Sequence, residues 1–285
     1  MSETVRPDGA RIHYEVHGEG FPVLLLADGA AGGETAAWEE EFLHPVAELA
    51  GRFRVITVDQ RNTGRSTGPL APFSYATGAE DLVAVLDDLG VEAAHVVAAG
   101  TGTALAWRLA HDAPGRVRSV VALRPVGLGA DNTLGDFLGT YDEAMRLPRA
   151  EALAGVVEAA RREPRFDLNP GAGPYARRLA DDQEFRDQVG ALRRERYVVA
   201  VVRHRDGIWP KGAAFFSVPD AWFATLAAPL LVLPGADRLH PEDVAKRLAS
   251  EVAGARLVDP GYDTADRRTE TVSTIVSFLD ENTPR

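Results

Sequence analysis

The stretch His95-Val96-Val97-Ala98-Ala99-Gly100-Thr101-Gly102-Thr103-Ala104-Leu105-Ala106-Trp107 constrains this chain more than any other. It reads as a strand covered on both faces that runs through a tight glycine turn into a helix. A parallel strand followed at once by a helix is half of a crossover unit, so the surrounding sequence is expected to repeat it.

It does so on both sides. Residues 11–17 alternate Ile12, Tyr14 and Val16 with polar neighbours, the pattern of a half-exposed strand. Residues 21–27 are a continuous apolar run that predicts a buried parallel strand, and residues 53–58 read as the next buried strand. Residues 77–89 place Leu82, Val85, Leu86 and Leu89 at helical spacing, with Gly90 as the stop. A strand at 117–123 follows, and alternation resumes with strands at 229–234 and 255–258 and helices at 241–252 and 266–279. Between these parts, residues 134–147, 149–162 and 181–202 read as charged helices with no convincing parallel strand among them. The expected class is α/β, with a mostly parallel sheet, helices on both faces, a core at 1–125 and 220–285 and a helical cap at 126–219. The end of the chain, from Asn282 with Pro284 inside it, is expected to fray.

Composition narrows the function classes. With 285 residues and 45% hydrophobic content, the chain can bury one sizeable domain carrying an insertion. A net charge of -11 opposes nucleic acid and anionic lipid, which leaves a neutral small molecule as the expected partner. There is no cysteine, which excludes disulfides and cysteine metal sites. Met1-Ser2-Glu3-Thr4 lacks the basic-then-apolar order of an export signal, and no apolar run reaches a membrane-spanning length, so a cytoplasmic location is expected.

Two loops carry further signals. Strand 21–27 runs into Asp28-Gly29-Ala30-Ala31-Gly32-Gly33, which can bring backbone N–H groups close to a ligand. Strand 53–58 runs into Asp59-Gln60-Arg61-Asn62-Thr63-Gly64-Arg65-Ser66-Thr67, a D-x-R-x-x-G-x-S turn. Together with Trp38-Glu39-Glu40-Glu41-Phe42 and the order of elements, these stretches resemble the α/β-hydrolase superfamily, and within it the aromatic-polyketide methylesterases of actinomycetes. The turn is structural, and Ser66 reads as part of it.

The resemblance implies a serine nucleophile, a histidine base and an orienting carboxylate. Gly100 stands at the serine's place in the G-x-S-x-G pattern. Asp237, in Leu233-Pro234-Gly235-Ala236-Asp237-Arg238-Leu239-His240, matches the carboxylate. Tyr262 or Asp263 stands where the histidine is expected, and no histidine follows Pro241. Gly100 also excludes an elbow aspartate of the dehalogenase kind. The backbone N–H groups of Thr101 and Ala30 match the oxyanion donors, while Asp28 stands where many relatives carry histidine.

On that basis Asp28, Asp237 and Asp263 are expected to converge with at least one raised pKa. Tyr262 is then a donor and His240 an alternative base. These groups suit proton transfer in a cofactor-free, non-hydrolytic cyclase, lyase/dehydratase or isomerase of polyketide or other secondary metabolism. Two alternatives stand beside it: an inactive binding or scaffold protein, and a hydrolase with an unconventional water-activating carboxylate. No helix-spaced metal-ligand signature is present. The inserted helices and the segment after them supply Phe137, Tyr141, Phe166, Tyr175, Tyr197, Trp209, Phe215, Phe216 and Trp222, of which Trp209, Phe215 and Phe216 are expected to face a flat, apolar or aromatic substrate.

Overall fold

The computed structural model describes residues 2–29, 33–39 and 41–284. The chain runs through β1 (Ser2–Val5), β2 (Arg11–His17), β3 (Pro22–Leu26), α1 (Pro45–Leu49), β4 (Arg54–Val58) and α2 (Tyr75–Asp88). It continues through β5 (Ala94–Ala99), α3 (Thr101–Asp112) and β6 (Val117–Leu123). Five helices follow: α4 (Leu134–Gly139), α5 (Asp142–Arg162), α6 (Ala176–Asp181), α7 (Gln183–Gly190) and α8 (Arg194–Ile208). The last elements are β7 (Leu230–Leu233), α9 (Glu242–Glu251), β8 (Arg256–Leu257) and α10 (Arg268–Glu281).

The eight strands form one sheet in the order β1-β2-β4-β3-β5-β6-β7-β8. Only the β1/β2 and β2/β4 pairings are antiparallel. Every residue of β5 and β7 is buried, as expected of central parallel strands covered on both faces, and β5 carries His95 inside with its Nδ1 2.7 Å from the Ser119 hydroxyl. Side-chain alternation then divides the interior in two. Leu24, Val96, Val120 and Val232 face α2, α3 and α9 on one side of the sheet, while Leu25, Val97, Val121 and Leu233 face α1 and α10 on the other. Each such fully buried Val or Leu contributes roughly 1.5–3 kcal/mol.

Three local readings are revised. β1 adds an edge strand that the short polar sequence Ser2-Glu3-Thr4-Val5 does not announce. The long helical stretch breaks between α4 and α5, and α5 is interrupted at Ala152, whose φ is 57°. The C-terminal tail is held at the foot of the sheet: the Thr283 hydroxyl lies 3.0 Å from His95 Nε2, and Arg118 Nε donates to the Asn282 carbonyl at 2.6 Å. Two hydrogen bonds to a buried strand and its neighbour outweigh the entropy expected to fray a tail.

The register positions the candidate site. Leu26 pairs with Ala98 across β3 and β5, so two residues further on Asp28 meets Gly100 where both strands end. β7 lies beyond β6 and delivers the loop carrying Asp237 and His240 to the same end of the sheet.

Candidate functional site

Gly100 joins β5 to α3 with φ 51° and ψ −124°, a conformation that disfavours a Cβ. The turn is tight because Gly102 packs on the β3 backbone, where an added Cβ would lie 2.7 Å from the Ala27 carbonyl oxygen. A side chain at Gly100 would overlap the Asp28 carboxyl group, with Oδ1 at 2.9 Å from the Cβ position. The Asp28 carboxylate thus fills the volume that glycine leaves open.

Asp28 is held there by the start of α3. Thr101 donates to Asp28 Oδ1 through its backbone N–H at 3.1 Å and its hydroxyl at 2.6 Å. The Asp28 carbonyl accepts from Gly33 N–H at 2.9 Å, and Gln60 Nε2 donates to the preceding Ala27 carbonyl at 2.9 Å. These bonds fix the carboxylate with Oδ1 against the helix N-terminus.

The second carboxylate comes with its own histidine. Asp237 Oδ1 accepts the N–H groups of Leu239 at 2.8 Å and His240 at 3.0 Å, closing a local turn. The same turn brings His240 Nδ1 to 2.9 Å from Asp237 Oδ2. A carboxylate only accepts, so Nδ1 donates to Asp237 and Nε2 is the ring atom left for another partner. Gly235 admits this arrangement, since a side chain there would approach the His240 Cβ at 2.5 Å. Nε2 points back across the sheet end to Asp28 Oδ2 at 3.9 Å. The Asp28 and His240 side chains are only 15% and 14% exposed, against 60% for Asp237, so the shared histidine and the inner carboxylate are shielded and the outer one is wet.

The electrostatics differ from those expected of three crowded carboxylates. The His240 ring holds the Asp237 carboxyl well below the usual carboxylate range, aided by the two turn N–H groups and opposed by partial burial. Asp263 is exposed and has no hydrogen bond to the other two among the described residues, so the expected three-way convergence reduces to Asp28 and Asp237 with a histidine between them. Tyr262 is buried with Trp38 and Leu123 on the α10 side of the sheet, its hydroxyl unpartnered among the described residues. Burial pushes its phenol far up, and its nearest ring is Phe42, with centroids 6.5 Å apart. The loop after β8 therefore delivers neither Tyr262 nor Asp263 to Asp28. Ala30 lies outside the described residues. Thr101 N–H, expected as an oxyanion donor, is engaged by Asp28.

A cavity of about 170 Å³ opens beside this group, between the sheet end with α2 and α3 on one side and Tyr141, Phe166 and α8 of the inserted segment on the other. Gly29 and Gln60 line it from the sheet side, and Tyr141, Phe166, His204 and Ile208 line it from the inserted helices. Trp209, Phe215 and Phe216 are 2%, 1% and 3% exposed and are absent from its wall. They pack as core: Trp209 lies 5.0 Å from Phe216 and 4.8 Å from Phe137, and Phe215 lies 4.6 Å from Phe223. The expectation that these three face substrate is corrected because they follow α8 on the side where the chain returns to β7. Nothing in the sequence distinguishes His204 from other helix histidines, although on this wall its ring makes no hydrogen bond among the described residues.

Ser66 is structural, as read. Its hydroxyl accepts from His13 N–H at 2.8 Å and donates to the Asp59 carbonyl at 2.7 Å. Among the described residues no group of three His, Cys, Asp or Glu side chains is placed to hold a metal ion, and no helix is long and apolar enough to cross a membrane.

Comparison with known proteins bears on this geometry. The family model described as alpha/beta hydrolase fold matches residues 22–208. The RutD protein of Azorhizobium caulinodans, named as a carbamate hydrolase, is 40% identical over 111 residues, covering 39% of this chain and 40% of that protein. Rhodomycin D methylesterase DauP of Streptomyces sp. strain C5 is 38% identical over 113 residues, covering 39% of this chain and 37% of the relative. The match thus spans about two-fifths of the length of these curated relatives. The crystal structure of a hydrolase from Pseudomonas aeruginosa superposes with a TM-score of 0.64 at 23% identity, covering 98% of this chain and 97% of that one, a likeness of fold. The relatives carry the names of hydrolases and esterases, which overturns the expectation of a cyclase, lyase/dehydratase or isomerase. That expectation took the missing serine and histidine as the loss of hydrolytic chemistry; the structure places the shielded His240 between Asp28 and Asp237 at this end of the sheet. With the matched region extending over well over half of the sequence, the chain belongs to the alpha/beta hydrolase fold family.

Proposed function

We propose that this protein hydrolyses an ester-type bond of a small molecule, with Asp28, His240 and Asp237 as its acid–base machinery. One observation carries the reading: the Asp28 carboxylate takes the space of the absent Gly100 side chain and faces a histidine already paired with Asp237. In this reading Gly100 stands in place of the family's serine, and His240 replaces a histidine from the loop after the last strand. The hydrolase names of the relatives support the reaction class.

The 3.9 Å between Asp28 Oδ2 and His240 Nε2 suits a water donating one O–H to each. His240 takes a proton from that water as its oxygen bonds to the acyl carbon. The tetrahedral intermediate then collapses, the acyl–oxygen bond breaks, and the leaving oxygen takes the proton back from His240. Asp237 holds the Nδ1–H, and the two flanking carboxylates stabilise the transient imidazolium. Asp28 orients the water. Its Oδ1 stays on Thr101, so this scheme assigns the Thr101 N–H to holding the water-orienting carboxylate rather than the oxyanion.

The test is turnover of a panel of methyl esters, lactones and aryl carbamates in oxygen-18 water, beside Asp28→Asn and His240→Gln. The expected result is one labelled oxygen in the acid product of an ester or lactone, or in the carbon dioxide released from a carbamate, with each variant slower by about 10²-fold or more. Hydrolysis at an unchanged rate in both variants, or no turnover of any of the three classes, overturns the proposal.

A further inference from the structure

We infer that the cavity beside Asp28 selects a single uncharged ring or short branched group bearing one hydrogen-bonding oxygen, and that His204 and Tyr141 are the specificity-determining residues that receive this oxygen. The inference rests on the hydrolytic reading only for where the reacting bond lies, because the recognition is a matter of binding.

Size comes first. An apolar cavity of about 150 Å³ holds one benzene molecule. At about 170 Å³ this cavity takes one ring with a small substituent, and fused polycyclic groups exceed it. Its position fits the acyl or alkoxy side of a substrate, since Gly29 directly follows Asp28 and Leu105 lies one helical turn beyond Thr101.

Polarity comes second. Ile12, Val58, Leu82, Leu105, Phe166 and Ile208 make most of the inner surface apolar. The charged and amide side chains on the sheet side of the wall are already engaged, Arg61 with Asp8 and Asp81, Gln60 with the Ala27 carbonyl and Asn62 with Arg178, and two further polar side chains come from the inserted segment. His204 is boxed by Phe73 at 5.4 Å, Tyr175 at 5.4 Å and Tyr141 at 6.0 Å between ring centroids, with no hydrogen bond to its ring among the described residues. Rings on three sides hold the imidazole at the cavity wall. The Tyr141 hydroxyl also makes no hydrogen bond among the described residues, whereas Tyr75 and Tyr175 spend theirs on the carbonyls of Ile208 and Ala71. Burial pushes the His204 imidazole down to about 4 and the Tyr141 phenol well up, so both are neutral near pH 7. A neutral donor–acceptor pair in an apolar wall favours an uncharged oxygen over a carboxylate or ammonium.

The experiment measures binding of p-cresol, toluene and 9-anthrol by calorimetry to the wild type, His204→Phe, His204→Gln, Tyr141→Phe and Asp28→Asn. Wild type is expected to prefer p-cresol over toluene and to exclude 9-anthrol. His204→Phe and Tyr141→Phe should each weaken p-cresol by about three- to tenfold while leaving toluene within twofold. His204→Gln, which restores a donor and an acceptor, should recover much of the loss and shows that the site has not simply unfolded. Binding of 9-anthrol as tight as that of p-cresol, no detectable p-cresol binding to wild type, or an unchanged p-cresol preference in both Phe variants overturns the inference. Asp28→Asn should bind p-cresol normally; if it does while hydrolysis by wild type is absent, the hydrolytic reading fails and the recognition stands.

Discussion

The carboxylate of Asp28 lies in the volume that a side chain on Gly100 would occupy, although the two residues come from different strands. Neither position is independent of the other. A Cβ at Gly100 displaces Asp28, and loss of the Asp28 carboxylate leaves Thr101 with two donors to satisfy.

That dependence predicts a coupled pair. Gly100→Ser alone should lower stability by about 1–3 kcal/mol, because it adds overlap to a φ of 51° that only glycine adopts freely. Adding Asp28→Gly should recover part of the loss, with a coupling of about 0.5–3 kcal/mol in a double-mutant cycle. Urea unfolding of the four proteins measures it, and simple additivity contradicts the shared volume.

Asp237 and His240 predict a difference at acid pH. A carboxyl depressed in the folded state contributes stability that is present above its unfolded pKa near 4 and lost as pH falls towards the folded value. Wild type should therefore lose more stability between pH 5 and pH 3 than Asp237→Asn or His240→Gln. Thermal melts across that range should show the two variants with the flatter profile.

His95 acts at milder pH. Burial, with a smaller contribution from Arg118, lowers its imidazole to about 4 from 6.5 in the unfolded chain, so the unfolded state takes up the proton first. Its stabilising contribution is complete above about pH 6.5 and falls as pH drops towards 4, by about 2 kcal/mol between pH 7 and pH 5. His95→Gln does not titrate there and should show that much less loss in urea unfolding at the two pH values.

Asp81 accepts from Arg6 Nε at 2.9 Å and from Arg61 at 2.9 and 2.7 Å while its side chain is only 5% exposed. Asp81→Ala leaves two partly buried guanidinium groups facing each other, and the expected cost is about 3 kcal/mol or more. Because Arg61 and Asp81 also line the cavity, p-cresol affinity should fall in the same variant. Unchanged stability would show that Asp8, which also pairs with Arg61, suffices by itself.

The layout of the sheet was legible in the chain because its signals are local. Largely apolar segments gave β3 to β7, helical spacing gave α2, the resumed alternation of elements gave α9 and α10, and the glycine at 100 marked the sharpest turn. Asp237 and His240 also form a local unit, since a turn of four residues closes both of their bonds. Periodicity carried no information on what only the tertiary structure decided. That Asp28 meets Gly100 follows from the β3/β5 register, and that His240 reaches Asp28 follows from β7 lying one strand beyond β6. The same limit explains the loop after β8, where sequence position made Tyr262 and Asp263 equal candidates while packing buried one in the core and left the other in solvent. A side chain's neighbours across a sheet are set by strand order and register, and these emerge only when all the strands are paired.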